Sequence, residues 1–238
     1  MDLMHLCDCK GAASIIFGGI LARVLEKRQF GRTHLQRMNF FNKFMLEWYS
    51  HRPGTHRLPP LRVANIKGDA GWKELVGKVV KAANTRAAAP MFRDFVTEHF
   101  VDTAGIEVDI VRIAVALDEF YKLLYGAPMF MEPNDIDQLR MLCSEIGLLM
   151  MKLRETCRRQ SKLCWRLTPK IHKLAAHVHL YAQVFNPRYI QNYQEESLIG
   201  TTCRVWQRAM RGRYRAFAQK NVLLRRFLGL LLRLEFDF

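Results

Sequence analysis

The longest uninterrupted helical pattern in the chain is NDIDQLRMLCSEIGLLMMKLRETCRRQ, residues 134–160. Its apolar positions recur at alternating spacings of three and four residues, which places them on one face of an α-helix. These positions are Ile136, Leu139, Cys143, Ile146, Met150 and Leu153. Pro133 and Asn134 mark the start, and acidic residues in the first turn suit the positive end of the helix dipole. The stretch therefore predicts a long amphipathic helix with one buried face.

Helical patterns continue on both sides of this segment. Upstream they predict helices over 11–29, 34–50, 72–86, 90–101 and 106–125, and downstream over 169–185, 194–210 and 214–234. Residues 51–71 contain three prolines and three glycines, which predict a long loop. Short strands are compatible with the sequence only near 62–66 and 188–192. The predicted fold class is therefore mainly α, a multi-helix bundle without a substantial sheet.

The predicted elements form four stretches, which we expect to pack as one compact unit. They are N-terminal helices (1–50), a loop (51–71), a central helical stretch (72–160) and a basic helical region (161–238). Thr33 and Thr168 are placed to cap the helices that follow them, and Pro169 suits a first helical turn. Gly18 and Gly19 are predicted to be a weak point of the first helix, because glycine has a low helix propensity.

The charge of the chain is strongly basic and unevenly distributed. There are 37 Lys and Arg residues against 22 Asp and Glu, a net charge of +15. Residues 94–145 hold 11 acids against three basic residues, so the excess positive charge lies outside this range. A basic face of this kind indicates a polyanionic partner, most often nucleic acid. An evenly solvated, solubilising surface is the competing interpretation.

The predicted DNA contacts lie in two late basic runs, residues 152–173 and 201–233. Aromatic residues Trp206, Tyr214 and Phe217 are interleaved with the second run. Basic side chains neutralise phosphates, and aromatic side chains stack on bases. The candidate nucleic-acid-binding residues are Arg158, Arg159, Lys170, Lys173, Arg204, Arg208, Arg211, Arg213 and Arg215.

The cysteines and histidines do not follow the spacing of a standard zinc site or disulfide framework. We expect reduced and mostly buried thiols in an intracellular protein; these are Cys143, Cys157, Cys164 and Cys203. Near the N-terminus His5, Cys7 and Cys9 lack further ligands at a compatible spacing. The apolar run 11–25 is too short for a confident membrane span.

Three short motifs, in this order and at these distances, resemble a known family. Asp2-Leu3-Met4-His5 leads into an apolar helix. Pro169-Lys170-Ile171-His172 follows far downstream, and then Tyr193-Gln194-Glu195-Glu196-Ser197-Leu198-Ile199-Gly200. Together they resemble the segment of CACTA-like DDE/D DNA transposases that runs from the second catalytic aspartate to the terminal glutamate.

The resemblance implies a metal-dependent chemistry on DNA. Asp2 would match the second catalytic acid and Glu196 the terminal one, with Glu195 as the fallback. In the family, carboxylates hold two Mg²⁺ or Mn²⁺ ions for in-line strand cleavage and transfer. Asp2 and Glu196 would be metal ligands. His5 and His172 would lie next to these ligands and support them without binding the metal.

The chain departs from the family pattern at its start. The family's first catalytic aspartate lies on a strand before the second, and the strands of the RNase H-like sheet are not found here. The chain thus resembles the helical insertion and C-terminal helices of a transposase. We expect a nuclear or otherwise intracellular DNA-binding protein that is inactive in strand cleavage alone.

A second interpretation makes the chain a non-catalytic helical scaffold. In that case the apolar stripe 136–153 would mediate self-association. Plain packing of this stripe in the core is the competing explanation.

Overall fold

The computed structural model describes Cys7 and residues 11–190, except 68, 77–81 and 101–104. These residues belong to one unit, Met1–Gln191. This part of the chain is mainly helical, which confirms the predicted fold class. Over the described ranges there is no β-strand, and only two isolated bridges occur, Ile66 with Leu75 and Lys73 with Cys164. The helices predicted over 194–210 and 214–234 lie outside the described residues.

Seven α-helices follow one another along the described ranges. They are α1 (Ala12–Glu26), α2 (His34–Ser50), α3 (Ala82–Ala87), α4 (Ala89–His99), α5 (Ile106–Gly126), α6 (Pro133–Arg159) and α7 (Pro169–Ala182). Neighbours along the chain pack together from α4 to α7, and α1 also contacts α5 and α7. None of these helices is long and apolar enough to cross a membrane.

The structure differs from the sequence-based assignments in three stretches. Residues 72–76 are not helical as predicted, because their backbone bonds to distant segments: Leu75 N donates to Ser14 O at 2.8 Å and Lys73 N to Leu163 O at 2.9 Å. The two suggested strands contain short 3-10 helices instead, at Val63–Asn65 and Pro187–Ile190.

The two predicted threonine caps differ in outcome. Thr33 forms a complete capping box: its hydroxyl accepts from Gln36 N at 3.2 Å, and its own N–H donates to the Gln36 side chain at 3.1 Å. Thr168 occupies the N-cap of α7 with Pro169 in the first turn, but its side chain makes no capping bond. The buried Thr168 hydroxyl has no hydrogen-bond partner in the described part of the chain.

The core is built around α1 and the inner face of α6. Positions Leu139, Cys143, Ile146, Met150 and Leu153 of the α6 stripe are all fully buried. The buried positions of α1 lie all round the helix rather than on a single face. This burial explains why α1 carries almost no charge along its length.

A cluster of aromatic rings joins α2 and α4. Phe95 lies at its centre, with ring centroids 4.9 Å from Phe41, 5.1 Å from Phe44 and 4.8 Å from His99. Phe17 of α1 stacks on Phe92 at 4.0 Å. The edge-to-face contacts of Phe95 and the stacked Phe17–Phe92 pair add to the stabilisation that burial alone gives.

Gly18 and Gly19 are sites of close backbone approach within an unbroken α1. A Cβ atom at Gly18 would lie 2.4 Å from the Cα atom of Glu74, and one at Gly19 would lie 2.7 Å from the Trp165 ring. The predicted weak point stays a prediction, and α1 is continuous through this pair. Only residues without a side chain allow the 73–75 segment and Trp165 to pack so closely on α1.

Asn186 closes the C-terminal end of α5. Its side chain is fully buried, and its amide donates to the carbonyl of Leu124 at 2.8 Å. The same amide nitrogen lies 3.2 Å from the carbonyl oxygens of Ala127 and Pro128. Its backbone N–H donates to Met129 O at 2.7 Å. One side chain therefore satisfies carbonyl groups that a helix end leaves without an internal partner.

Candidate nucleic-acid interface

Residues 152–173, here called the basic corner, join the end of α6 to the start of α7. They contain eight Lys or Arg residues and a single acid, Glu155. The turn between the helices is tight, because Lys162 N donates to Cys157 O at 2.9 Å and Ser161 adopts a left-handed conformation with φ of 55°. Trp165 is only 1% exposed and fixes the turn against α1. The basic side chains are thus displayed from a rigid frame.

Some cations of the basic corner bind acids on other elements. Lys152 pairs with Asp109 of α5 at 2.9 Å, and Lys162 pairs with Glu26 of α1 at 2.9 Å. Arg166 lies 3.5 Å from the carboxylate of Glu74. These pairs attach the corner to three other parts of the fold.

Arg158 and Arg159 project into solvent at the end of α6. Their side chains are 70% and 75% exposed, and both donate to Glu155, at 2.7 and 3.1 Å. Hydrogen bonds from the two guanidinium groups lower the pKa of Glu155 to about 2. Two cations share one carboxylate, so positive charge remains for a phosphate group.

A cavity of about 790 Å³ lies between the basic corner, α1, α2 and the 63–73 segment. Cationic side chains of Arg23, Arg37, Lys73 and Lys162 line it, with Glu26 as the carboxylate among the lining residues. Arg37 is structural: it donates to the carbonyls of Leu25, Gly31 and Arg32. The cavity extends the positive surface of the corner toward α2.

A buried carboxylate holds the cationic wall of this cavity in place. Glu107 of α5 is 5% exposed and accepts from Arg23 at 2.9 Å and from Lys27 at 3.0 Å. Burial by itself raises the pKa of Glu107, but the hydrogen bonds from Arg23 and Lys27 outweigh it and bring the pKa below its ordinary value of 4.5. Arg23 also binds Glu26 at 2.8 Å, which links the pair to Lys162.

Replacing Glu107 with glutamine should lower the free energy of unfolding by about 2 kcal/mol at about pH 7, because charged hydrogen bonds are lost. The folded-state pKa lies below 4.5, so this stabilisation is fully present above about pH 4.5 and is lost as the pH falls through the folded-state value. Urea denaturation of both proteins at about pH 7 and about pH 3 measures it. The difference between them should shrink at the lower pH, and a constant difference would contradict the assignment.

The structure brings together part of the predicted site. Arg158 and Arg159 lie side by side, and Lys170 and Lys173 follow on the first turns of α7. His172 is exposed on α7, with its ring 5.4 Å from that of His177. Among the described residues, no group of three His, Cys, Asp or Glu side chains is placed to hold a metal ion.

The other predicted residues lie outside the described part of the chain. They are Asp2, His5, Glu195, Glu196, Arg204, Arg208, Arg211, Arg213 and Arg215. Their proposed roles stay predictions. Of the predicted thiols, Cys143, Cys157 and Cys164 are buried as expected, and Cys203 lies outside the described residues.

Sequence reasoning predicted the stretch 152–173 without singling out Arg154, and it missed Lys73 and Arg23. Arg154 lies over the Trp72 ring, with 5.7 Å between its guanidinium carbon and the ring centroid. Lys73 and Arg23 reach the cavity from segments far from the corner in sequence. Arg154 belongs to the basic run that ends α6, which composition had indicated. No local signal marks Lys73 or Arg23.

The predicted self-association stripe is part of the core. Of its six positions five are fully buried and Ile136 is partly buried, so plain core packing is confirmed. Other apolar residues of α6 face outward: Met141, Leu148 and Met151 are 70%, 62% and 51% exposed. Leu148 lies seven residues after Met141, and Met151 lies three residues after Leu148. Leu148 and Met151 line a groove of about 480 Å³ between α6 and α7.

Comparison with known proteins gave no match: no protein-family model, no curated protein and no solved structure matches this chain.

Proposed function

We propose that this chain is a transposase-derived DNA-binding protein that holds the phosphate backbone with its basic corner. The observation that carries the proposal is the pair Arg158 and Arg159, both highly exposed and sharing one carboxylate at the end of α6. The resemblance of Pro169-Lys170-Ile171-His172 to a transposase motif supports DNA as the polymer, and these residues begin α7 within the same corner. A nuclear location belongs to the same proposal.

The binding we propose is electrostatic and has little sequence preference. Lys and Arg side chains that neutralise phosphates release condensed counterions, so the affinity falls steeply with salt. Contacts to phosphates position a protein on the duplex without reading its bases. The anchored pairs to Asp109, Glu26 and Glu74 keep the corner rigid, which lowers the entropic cost of binding.

The double variant Arg158→Gln, Arg159→Gln should bind duplex DNA about tenfold more weakly, with a salt slope reduced by nearly 2. The variant Glu155→Gln removes the carboxylate that Arg158 and Arg159 share, and it should raise the affinity for duplex DNA. Fluorescence anisotropy with a labelled duplex, from about 50 mM to about 200 mM salt, gives both the dissociation constant and the slope.

Arg140→Gln is the matched control. Arg140 is on the same helix, its side chain is 59% exposed, and it also pairs with a neighbour, Asp137 at 3.0 Å. It lies 18 residues before Arg158, about 27 Å along the helix, and should leave DNA binding unchanged. Equal losses in the double variant and the control would contradict a role for the corner.

Two further outcomes would change the proposal. If the chain binds neither duplex nor single-stranded DNA at about 50 mM salt, DNA binding fails and the helical scaffold becomes the leading proposal. Its surface would then be the exposed apolar residues Met141, Leu148 and Met151. Mg²⁺-dependent nicking that disappears in Glu196→Ala would instead make the chain a nuclease.

A further inference from the structure

Two thiols face each other across the turn of the basic corner. Cys157 lies in the last turn of α6 and Cys164 follows the turn, and both are nearly fully buried, at 4% and 6% exposure. They line the same small cavity under the corner, together with Gly19 and Trp165. The Cys164 thiol donates a hydrogen bond to the Cys157 sulfur, and the two are not joined in a disulfide.

The pair has a route to small reagents. Cys164 also lines the cavity of about 790 Å³, which reaches from the corner to α2. A small oxidant that enters this cavity reaches the Cys164 side chain. The smaller cavity that Cys157 and Cys164 share adjoins the larger one at Arg23, Glu26 and Lys162.

The surroundings make the two sulfurs unequal. The hydrogen bond from Cys164 lowers the pKa of Cys157 more than its burial raises it. Glu26 opposes this shift, and Lys162 and Arg23 add to it. The pKa of Cys164 is raised, because its thiol proton is held in that hydrogen bond and because it is buried. Cys157 is thus the sulfur that ionises first, and Cys164 is a neighbouring thiol in contact with it.

Cys143 provides a contrast within the same helix. It is fully buried in the α6 stripe, and burial raises its pKa to about 12. A buried thiol of this kind is inert toward oxidants that act on thiolates.

We propose that Cys157 and Cys164 are a dithiol oxidation site, which hydrogen peroxide converts into a disulfide across the turn. The Cys157 thiolate attacks one peroxide oxygen; the O–O bond breaks, and the departing hydroxide takes up the thiol proton as water. The sulfenic acid formed on Cys157 is then attacked by the Cys164 sulfur. The S–O bond breaks, and the hydroxyl group leaves as a second water with the Cys164 proton. Two thiols and one peroxide give one disulfide and two waters.

Trypsin makes the product easy to identify in the full-length chain. Cleavage after Arg154, Arg158, Lys162 and Arg166 separates the thiols into the peptides 155–158 (ETCR) and 163–166 (LCWR). The chain is treated with hydrogen peroxide, and the excess peroxide is removed with catalase. The chain is then unfolded in urea that already contains N-ethylmaleimide, which blocks the remaining thiols, and it is digested without reductant. The expected product is the two peptides joined, with the loss of two titratable thiols per chain. Cys143, in peptide 141–152, should carry the maleimide.

Two further samples make the outcome decisive. In Cys164→Ser the sulfenic acid on Cys157 has no resolving thiol and should be trapped by dimedone in peptide 155–158. In urea the folded geometry is lost, so peroxide should no longer oxidise Cys157 and Cys164 in preference to Cys143. Recovery of maleimide on both Cys157 and Cys164 after peroxide treatment of the folded chain would overturn the proposal. Oxidation of Cys143 to the same extent would also overturn it.

Discussion

The Gly18→Ala variant should unfold with a free energy about 3 kcal/mol lower than the wild type, because its new methyl group has no space. The Cβ atom would lie 2.4 Å from the Cα atom of Glu74 and 2.6 Å from its carbonyl carbon. Both are backbone atoms, so the conflict cannot be relieved by a rotamer change. The 73–75 segment would have to move away from α1, which breaks the bond from Leu75 N to Ser14 O. Thermal denaturation should show a midpoint about 6–12 °C lower.

Gly126→Ala is the control for glycine replacement in a helix. Gly126 is the last residue of α5, and a Cβ atom there would meet nothing within 4 Å. The higher helix propensity of alanine should leave the stability unchanged or raise it by about 0.5 kcal/mol. If Gly18→Ala and Gly126→Ala unfold at the same temperature, the packing of Glu74 on α1 is not as described.

The Phe95→Ala variant should lose about 4 kcal/mol of unfolding free energy, the largest loss we expect from a single truncation in this fold. Phe95 is fully buried, and its ring contacts several other aromatic side chains. These are Phe30, Phe40, Phe41, Phe44, His99 and Phe100. Removing it leaves a cavity lined by rigid rings, which cannot collapse to fill the space. Urea denaturation followed by circular dichroism measures the loss.

Two companion variants separate this effect from a general loss of aromatic surface. Phe130 is 70% exposed, and Phe130→Ala should change the stability by no more than about 0.5 kcal/mol. Phe95→Leu keeps most of the volume and should cost about 1.5 kcal/mol. A loss of less than about 1 kcal/mol in Phe95→Ala would show that the cluster is not a closely packed core.

The parts of the fold that were predicted correctly are those that local patterns determine. The α6 stripe is periodic over about five turns, so its buried face follows from spacing alone. The capping box at Thr33 depends on Gln36, three residues away. Both features require no knowledge of distant residues.

The features that were missed depend on contacts between distant segments. Residues 72–76 have a helical composition, but their backbone bonds to Ser14 and Leu163 prevent a helix there. The Gly18–Gly19 pair is indistinguishable in sequence from a weak helix, and only the packing of Glu74 and Trp165 explains it.

The candidate site also has one part that a local pattern predicts and one part that depends on distant segments. Arg158 and Arg159 form a visible run in the sequence, and the fold exposes them at a helix end. The cationic cavity has no such signal, because Arg23, Lys73 and Lys162 come from three separate segments. Sequence reasoning could therefore find the exposed edge of the site but not the cavity beside it.

The position of Asn186 bears on where this unit can be divided. Its amide satisfies carbonyl oxygens at the end of α5, more than 55 residues earlier in the chain. A truncation before Asn186 would remove the amide to which those carbonyl groups bond. The segment after α7 thus holds the end of α5, a helix that is synthesised long before it. A ribosome must release this part of the chain before α5 acquires its final C-terminal bonds, so the last step of folding in this unit waits for residues near its end.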